Sequence, residues 1–170
     1  MNLKEKSEKS SIRFVGRYER EYPAVLNEIP KAPGGLYVYG RLPDSTRPAV
    51  AIVGARMCSA YGKRQAFHFA KVLSQCGVQI ISGLAYGIDA YAHKGALAAQ
   101  AQTFAVMGCG ADICYPKRNI DIYREIPDKG GGILSEFPNQ TEPSAWHFPI
   151  RNRIHRSFSL NLYIIWKHCH

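Results

Sequence analysis

The chain has 170 residues, 46% of them hydrophobic, which suffices for a single folded unit with a real core. Its formal charge of +9 selects an acidic partner, nucleic acid ahead of an anionic membrane, because no apolar run nears the roughly 18 residues of a transmembrane helix. Met1 to Ser11 lacks the apolar stretch of a signal peptide, so a cytoplasmic location is expected, and the five cysteines, with no CxxC pair, read as reduced thiols.

Residues 1–21 read as a flexible N-terminal segment, and residues 22–47 as a Pro- and Gly-rich lead-in packed on the domain, with Leu36 to Tyr39 alternating as a short edge strand. From 48 to 170 strand and helix signals alternate. Ala49 to Val53 is a continuously apolar run ending in Gly54, the pattern of a buried parallel strand. Ser59 is placed to cap the next helix, whose Ala66, Phe69, Ala70 and Leu73 share one face and which Gly77 closes. Val78 to Ile81 is the second strand. A helix of about Tyr86 to Gln100 is crowded with Ala and Gly, which lets its backbone lie close to a sheet. Thr103 to Met107 is a third strand, Asn119 to Ile126 a short helix and Gly132 to Ser135 a fourth strand. A helix near Ile150 to Arg156 and a last apolar run, Leu160 to Trp166, complete the chain. This alternation predicts βαβ units and a Rossmann-like, doubly wound, mainly parallel sheet, incomplete at its C-terminus.

In such sheets ligands lie beyond the carboxyl ends of the strands, which here carry Gly54-Ala55-Arg56, Ser82-Gly83 through Gly87, Gly108-Cys109-Gly110 and Ser135-Glu136. Glycines there let backbone N–H groups approach a phosphate, although any one of them serves equally well as a tight turn. The charge is uneven in the same sense. Ser45 to Ile88 has no acidic residue but holds Arg47, Arg56, Lys63, Arg64 and Lys71; the span after Glu142 has none either but holds Arg151, Arg153, Arg156 and Lys167. Arg56 is placed to grip a phosphate bidentately, and a bound anion would relieve the conflict of Lys63 and Arg64 with the helix dipole. Trp146 to Arg153 interleaves aromatics with arginines, the composition that holds single strands by stacking and backbone contacts, unless Trp146 and Phe148 fill core.

Catalytic signals are thin. Asp89 and His93 share a helix face at a spacing that as often only stabilises the helix. His168-Cys169-His170 lacks partners at metal spacing. Neither a Walker A sequence nor a full GxGxxG with a following acid is present. No enzyme activity, cofactor or metal is expected.

The ordered blocks Val53-Gly54-Ala55-Arg56, Tyr61-Gly62, SGLAYGIDAYAHKGAL (82–97), GCGADICYPKRN (108–119), Ser135-Glu136-Phe137-Pro138 and FPIRNRI (148–154) closely resemble the DNA-processing protein A (DprA/Smf) family, and YPAVLNEIP (22–30) resembles its lead-in. The resemblance implies a non-enzymatic, cytoplasmic single-stranded DNA binder that protects incoming DNA in natural transformation and helps load RecA, and which forms a homodimer. It implies that Arg56, Ser82, Gly83, Gly87, Phe148, Arg151, Asn152 and Arg153 line the DNA pocket; Gly54 joins them from the glycine-turn argument and Lys63 from the helix-terminus argument. Ala55 stands where the family usually has Ser or Thr, and Tyr86 where Arg is common, which removes one charge. After Ile154 the chain departs from the family pattern, and a frameshift or truncation there would remove the part to which the resemblance assigns self-association and some of the RecA contact. The alternatives are a small-nucleotide sensor or hydrolase on a related Rossmann-like fold, and a non-functional truncated product.

Overall fold

A computed structural model of the chain describes residues 11–159 and the backbone of residues 163–166. Among the described residues, seven strands form one sheet in the order β1-β2-β6-β5-β4-β3-β7. They are β1 (Ile12–Gly16), β2 (Gly35–Gly40), β3 (Ala49–Gly54), β4 (Gln79–Ser82), β5 (Thr103–Val106), β6 (Gly132–Ser135) and β7 (Tyr163–Trp166). β6, β5, β4, β3 and β7 run parallel, whereas β1 and β2 add an antiparallel ribbon beside β6. The helices are α1 (Ala60–Gln75), α2 (Ile88–Ala98), α3 (Ile120–Asp128) and α4 (His147–Phe158), with short 3-10 turns at Ala24–Glu28 and Lys117–Asn119. The doubly wound α/β architecture is the one expected.

Successive strand residues point to opposite faces, and the core divides accordingly. On one face Ala51, Ile81, Phe104, Val106 and Leu134 pack with Ile154 and Phe158 of α4 and with Tyr22 and Leu26 of the lead-in. On the other, Val50, Ile52 and Ile80 meet Ala66 and Ala70 of α1 and Ala92 and Ala96 of α2, while Ala105 and Ile133 meet Ile122 and Ile126 of α3. The small residues of α2 make their tightest approach to a helix: a Cβ on Gly95 would stand 2.9 Å from Cβ of Ala70 and would overlap the carbonyl of Phe67.

Three expectations change. Leu36 to Tyr39 is not an edge strand, because β1, from the segment read as flexible, pairs outside it from Ile12↔Tyr39 to Gly16↔Gly35. Its alternation is masked by Arg13 and an exposed Phe14, so only Val15 carries a core signal. Phe69 is 43% exposed rather than packed; the buried stripe of α1 is Gly62, Ala66, Ala70 and Ser74. α4 begins three residues earlier than predicted, at His147, despite Pro149, which the first turn of a helix tolerates. Of the final apolar run, residues 160–162 lie outside the described residues, and 163–166 form β7 beside β3. The tail His168-Cys169-His170 also lies outside them.

Candidate nucleic-acid interface

An open pocket of about 300 Å³ sits at the carboxyl ends of β3, β4 and β5, lined by Arg56, Gly83, Ala85, Tyr86, Tyr115, Pro116 and Phe148. Each wall has a local cause. Arg56 is held by the loop after β3, where Ile88 N–H donates to the Ala55 carbonyl at 3.3 Å. Gly87 makes that contact possible: it has φ +75°, and any Cβ would run into the Ala55 and Arg56 backbone. Tyr115 is carried by a loop that Asn119 pins to the β4–α2 connection, its side-chain amide donating to Leu84 O at 2.8 Å and Ala85 O at 3.3 Å.

Phe148 comes from the first turn of α4. Its ring lies against Gly108, where a Cβ would be 2.8 Å from Cδ1 of the ring. The same turn is anchored by His147, whose Nδ1 is 3.1 Å from Gly108 O and whose ring stacks on Phe137 with centroids 4.0 Å apart. Tyr115 stands 5.8 Å from Phe148, tilted by 31°, and the Arg56 guanidinium lies over the Phe148 ring at 5.0 Å. Arg56 is exposed, so the pocket combines a solvent-facing guanidinium with aromatic faces. Lys117 and Arg118, both exposed, directly follow the lining residues Tyr115 and Pro116 in the chain.

Beneath the pocket lies a buried polar cluster. The Asp89 carboxylate accepts the N–H of Gly54 at 3.2 Å and of Gly83 at 3.1 Å, tying together the ends of β3 and β4. Burial raises the pKa of Asp89 against the lowering effect of the Arg151 charge and these N–H bonds. Arg151 donates to the carbonyls of Gly83 (3.2 Å) and Val106 and lies over the inner part of the site, 5.8 Å from the Phe148 ring centre. His93 and His155 are also buried, and burial followed by the Arg151 charge depresses both, His93 to about 3.

The family comparison follows from this geometry. Residues 13–168 match the family model of DNA recombination-mediator protein A. The chain belongs to that family. It is 38% identical over 154 residues to Protein Smf of Synechocystis, covering 88% of this chain and 38% of that protein. It is 40% identical over 136 residues to DNA processing protein DprA of Streptococcus pneumoniae, covering 78% of this chain and 46% of the relative. The chain thus spans less than half the length of both. The solved structure of the Streptococcus pneumoniae protein superposes with TM-score 0.82 at 34% identity, covering 97% of this chain and 58% of that one. That of DNA processing protein A from Helicobacter pylori, described with its single-stranded DNA binding mode, gives 0.78 at 29% identity, covering 92% and 69%.

Of the candidate site residues, Arg56, Gly83 and Phe148 meet in the pocket. The remaining candidates, and the amide of Gly83 itself, do different work. Gly54 and Gly83 do not offer their N–H groups to a phosphate, because the nearest anion, Asp89, already holds them. Ser82 is fully buried and its hydroxyl donates to Ile52 O at 2.6 Å, joining β4 to β3. Gly87 shapes the loop behind Arg56 rather than facing the opening. Lys63 points its Nζ over the Tyr91 ring at 5.9 Å, away from the pocket lining. Arg151 is buried, and Arg153 is clamped by Glu136 through two 2.6 Å contacts while also donating to Lys31 O. Asn152 is exposed on α4 and does not line the pocket. Tyr86, which the sequence marks only as a charge lost from the pocket, and Tyr115, which the sequence reading left out, complete the aromatic wall; the adjacency of Tyr115-Pro116 to Lys117-Arg118 was the signal available for Tyr115.

Proposed function

We propose that this domain binds single-stranded DNA at the pocket, with a base against the Phe148 and Tyr115 rings and a backbone phosphate on Arg56. The observation that carries the reading is the exposed Arg56 guanidinium 5.0 Å from the Phe148 ring in an open, aromatic-walled pocket. A stacked base contributes about 1–3 kcal/mol and tolerates any sequence, and an arginine beside it supplies the backbone contact. A duplex buries its base faces, so the same pocket discriminates against it. Lys117 and Arg118 extend the positive lip along which a strand would run. The reading includes the role that family resemblance implies for the whole protein: protection of incoming DNA in the cytoplasm during transformation and delivery to RecA, by binding and without a chemical step.

The small-nucleotide reading is weaker for a specific reason. A Rossmann-type phosphate site needs free N–H groups at the glycine turns, and Asp89 occupies those of Gly54 and Gly83. Fluorescence anisotropy with a labelled oligo-dT and a duplex of equal length, across a salt series, tests the choice. Single strands are expected to bind preferentially, with Arg56→Ala and Phe148→Ala each weakening binding at least tenfold. Equal affinity for both forms, or micromolar binding of a mononucleotide that Arg56→Ala abolishes with no measurable binding of single strands, would overturn the proposal.

A further inference from the structure

Two loops that line the pocket meet at Asn119. Ala85 and Tyr86 come from the connection between β4 and α2, and Tyr115 and Pro116 from the loop that ends at Asn119 itself. Asn119 is buried, and its side-chain amide crosses to the first loop, donating to Leu84 O at 2.8 Å and to Ala85 O at 3.3 Å. Its backbone N–H donates to Pro116 O at 3.0 Å, within the second loop. The first loop is strained. Leu84 has φ +57°, a left-handed conformation that a bulky side chain rarely adopts, and its side chain is fully buried. Such a conformation persists only where its surroundings enforce it, and the two amide bonds fall on the carbonyls of Leu84 and the residue after it.

We infer that Asn119 is a positioning residue for single-stranded DNA: it fixes the Tyr115 ring relative to Phe148 and so sets the aromatic platform on which a base stacks. The inference rests on the proposed DNA site and names the residue that holds its geometry. Phe148 is fixed independently, by its contact with Gly108 and by the bond of His147 to Gly108 O. Tyr115 makes none of the described side-chain hydrogen bonds, so the place of its ring depends on its loop. The two ring centres are 5.8 Å apart, less than the two stacking distances of about 3.4 Å each that a base inserted between them requires. The rings therefore act as one platform, and a displaced Tyr115 removes one side of it. Arg56 is held separately, through the bond of Ile88 N–H to Ala55 O, so its grip on a phosphate does not depend on Asn119.

The test compares oligo-dT with an abasic strand of equal length by fluorescence anisotropy, on the full chain at a temperature where circular dichroism shows each variant folded. Asn119→Ser, whose hydroxyl is too short to reach either carbonyl, is expected to weaken oligo-dT by about fivefold or more, the lower end of one lost base stack. The abasic strand should stay within twofold. Asn119→Leu, which keeps the volume but donates no hydrogen bond, should do the same. In a Tyr115→Ala background neither substitution should cost more than a further twofold, because the ring that Asn119 positions is gone; a general loosening of the fold would weaken binding in both backgrounds alike. An equal loss for oligo-dT and the abasic strand, or losses that add in the double variant, would overturn the inference. So would failure of both variants to fold, which would make the amide a requirement of folding. If the unmodified chain binds oligo-dT no more tightly than the abasic strand, the proposed DNA site itself fails. If it does bind more tightly and Asn119→Ser matches it, only the positioning role does.

Discussion

The guanidinium of Arg153 meets the carboxylate of Glu136 through both of its ends, at 2.6 Å each, and the pair is largely shielded from water. Arg153 also donates to Lys31 O, so one side chain joins α4, the end of β6 and the lead-in. A bidentate pair in this setting is a structural clamp. Arg153→Ala is therefore expected to cost about 2–3 kcal/mol by leaving Glu136 without its partner, a fall in Tm of roughly 5–10 °C. Affinity for single-stranded DNA, measured on the folded fraction, should stay within twofold. A large affinity loss without a Tm change would return Arg153 to the DNA surface.

Gly83 serves two purposes at one position. It lines the pocket, yet a Cβ there would lie 2.7 Å from Asp89 Oδ2 and 2.8 Å from Arg151 Cζ. Both neighbours are buried and hydrogen-bonded, so neither can give way cheaply. Gly83→Ala should lower stability by roughly 2–4 kcal/mol through broken buried bonds. Urea unfolding reads this directly, and a variant as stable as the parent would mean that the Asp89–Arg151 cluster is softer than its burial implies.

These two residues show what was legible in the sequence and what was not. The strand and helix order, the Ser59 cap and the parallel sheet followed from local patterns, because periodicity and capping are properties of neighbours in the chain. The Ser59 hydroxyl does accept the N–H of Gly62, as its position indicates. The location of the pocket also followed, since glycine turns mark strand ends. The roles of the arginines did not. Arg56, Arg151 and Arg153 are the same residue type in equally basic stretches, and only the fold puts one in water, one in the core and one on Glu136. Asp89 was read as a helix-stabilising acid. Its function as an internal anion on the Gly54 and Gly83 amides depends on two loops 35 and 6 residues away.

Lys117 and Arg118 directly follow two pocket-lining residues and contribute to none of the described side-chain hydrogen bonds or ion pairs. If a strand crosses the lip, each neutralises a phosphate. The slope of log affinity against log salt should then shrink by about 0.7 for each of Lys117→Ala and Arg118→Ala. Stability should be unchanged, because both side chains are exposed. A salt titration by anisotropy gives the slope; equal slopes for variant and parent would route the strand elsewhere.

The last prediction concerns acid. Thr103 donates its hydroxyl proton to Ile80 O at 2.9 Å, so its oxygen must accept from His93 Nδ1 at 2.8 Å. This fixes the proton on Nδ1 and leaves Nε2 buried as the bare nitrogen, with no place to put a charge. The folded pKa of His93 is held at about 3 against 6.5 when unfolded, chiefly by burial and then by Arg151. Between those values the unfolded chain binds a proton that the folded chain refuses. Stability is thus complete above pH 6.5 and falls as pH drops toward 3, by up to about 1.4 kcal/mol per unit for each such histidine. His155, depressed for the same reasons, adds with the same sign. Asp89, raised by burial, works the other way above pH 3.8, since its folded form holds a proton more tightly, and it offsets part of the slope. Two histidines against one carboxyl leave a net loss in acid. Urea unfolding at pH 7.5, 6 and 5 should show a declining midpoint, and His93→Asn, which keeps a donor for Thr103 but cannot titrate, should flatten the decline. A decline of the same steepness in that variant would mean that the acid sensitivity arises outside this cluster.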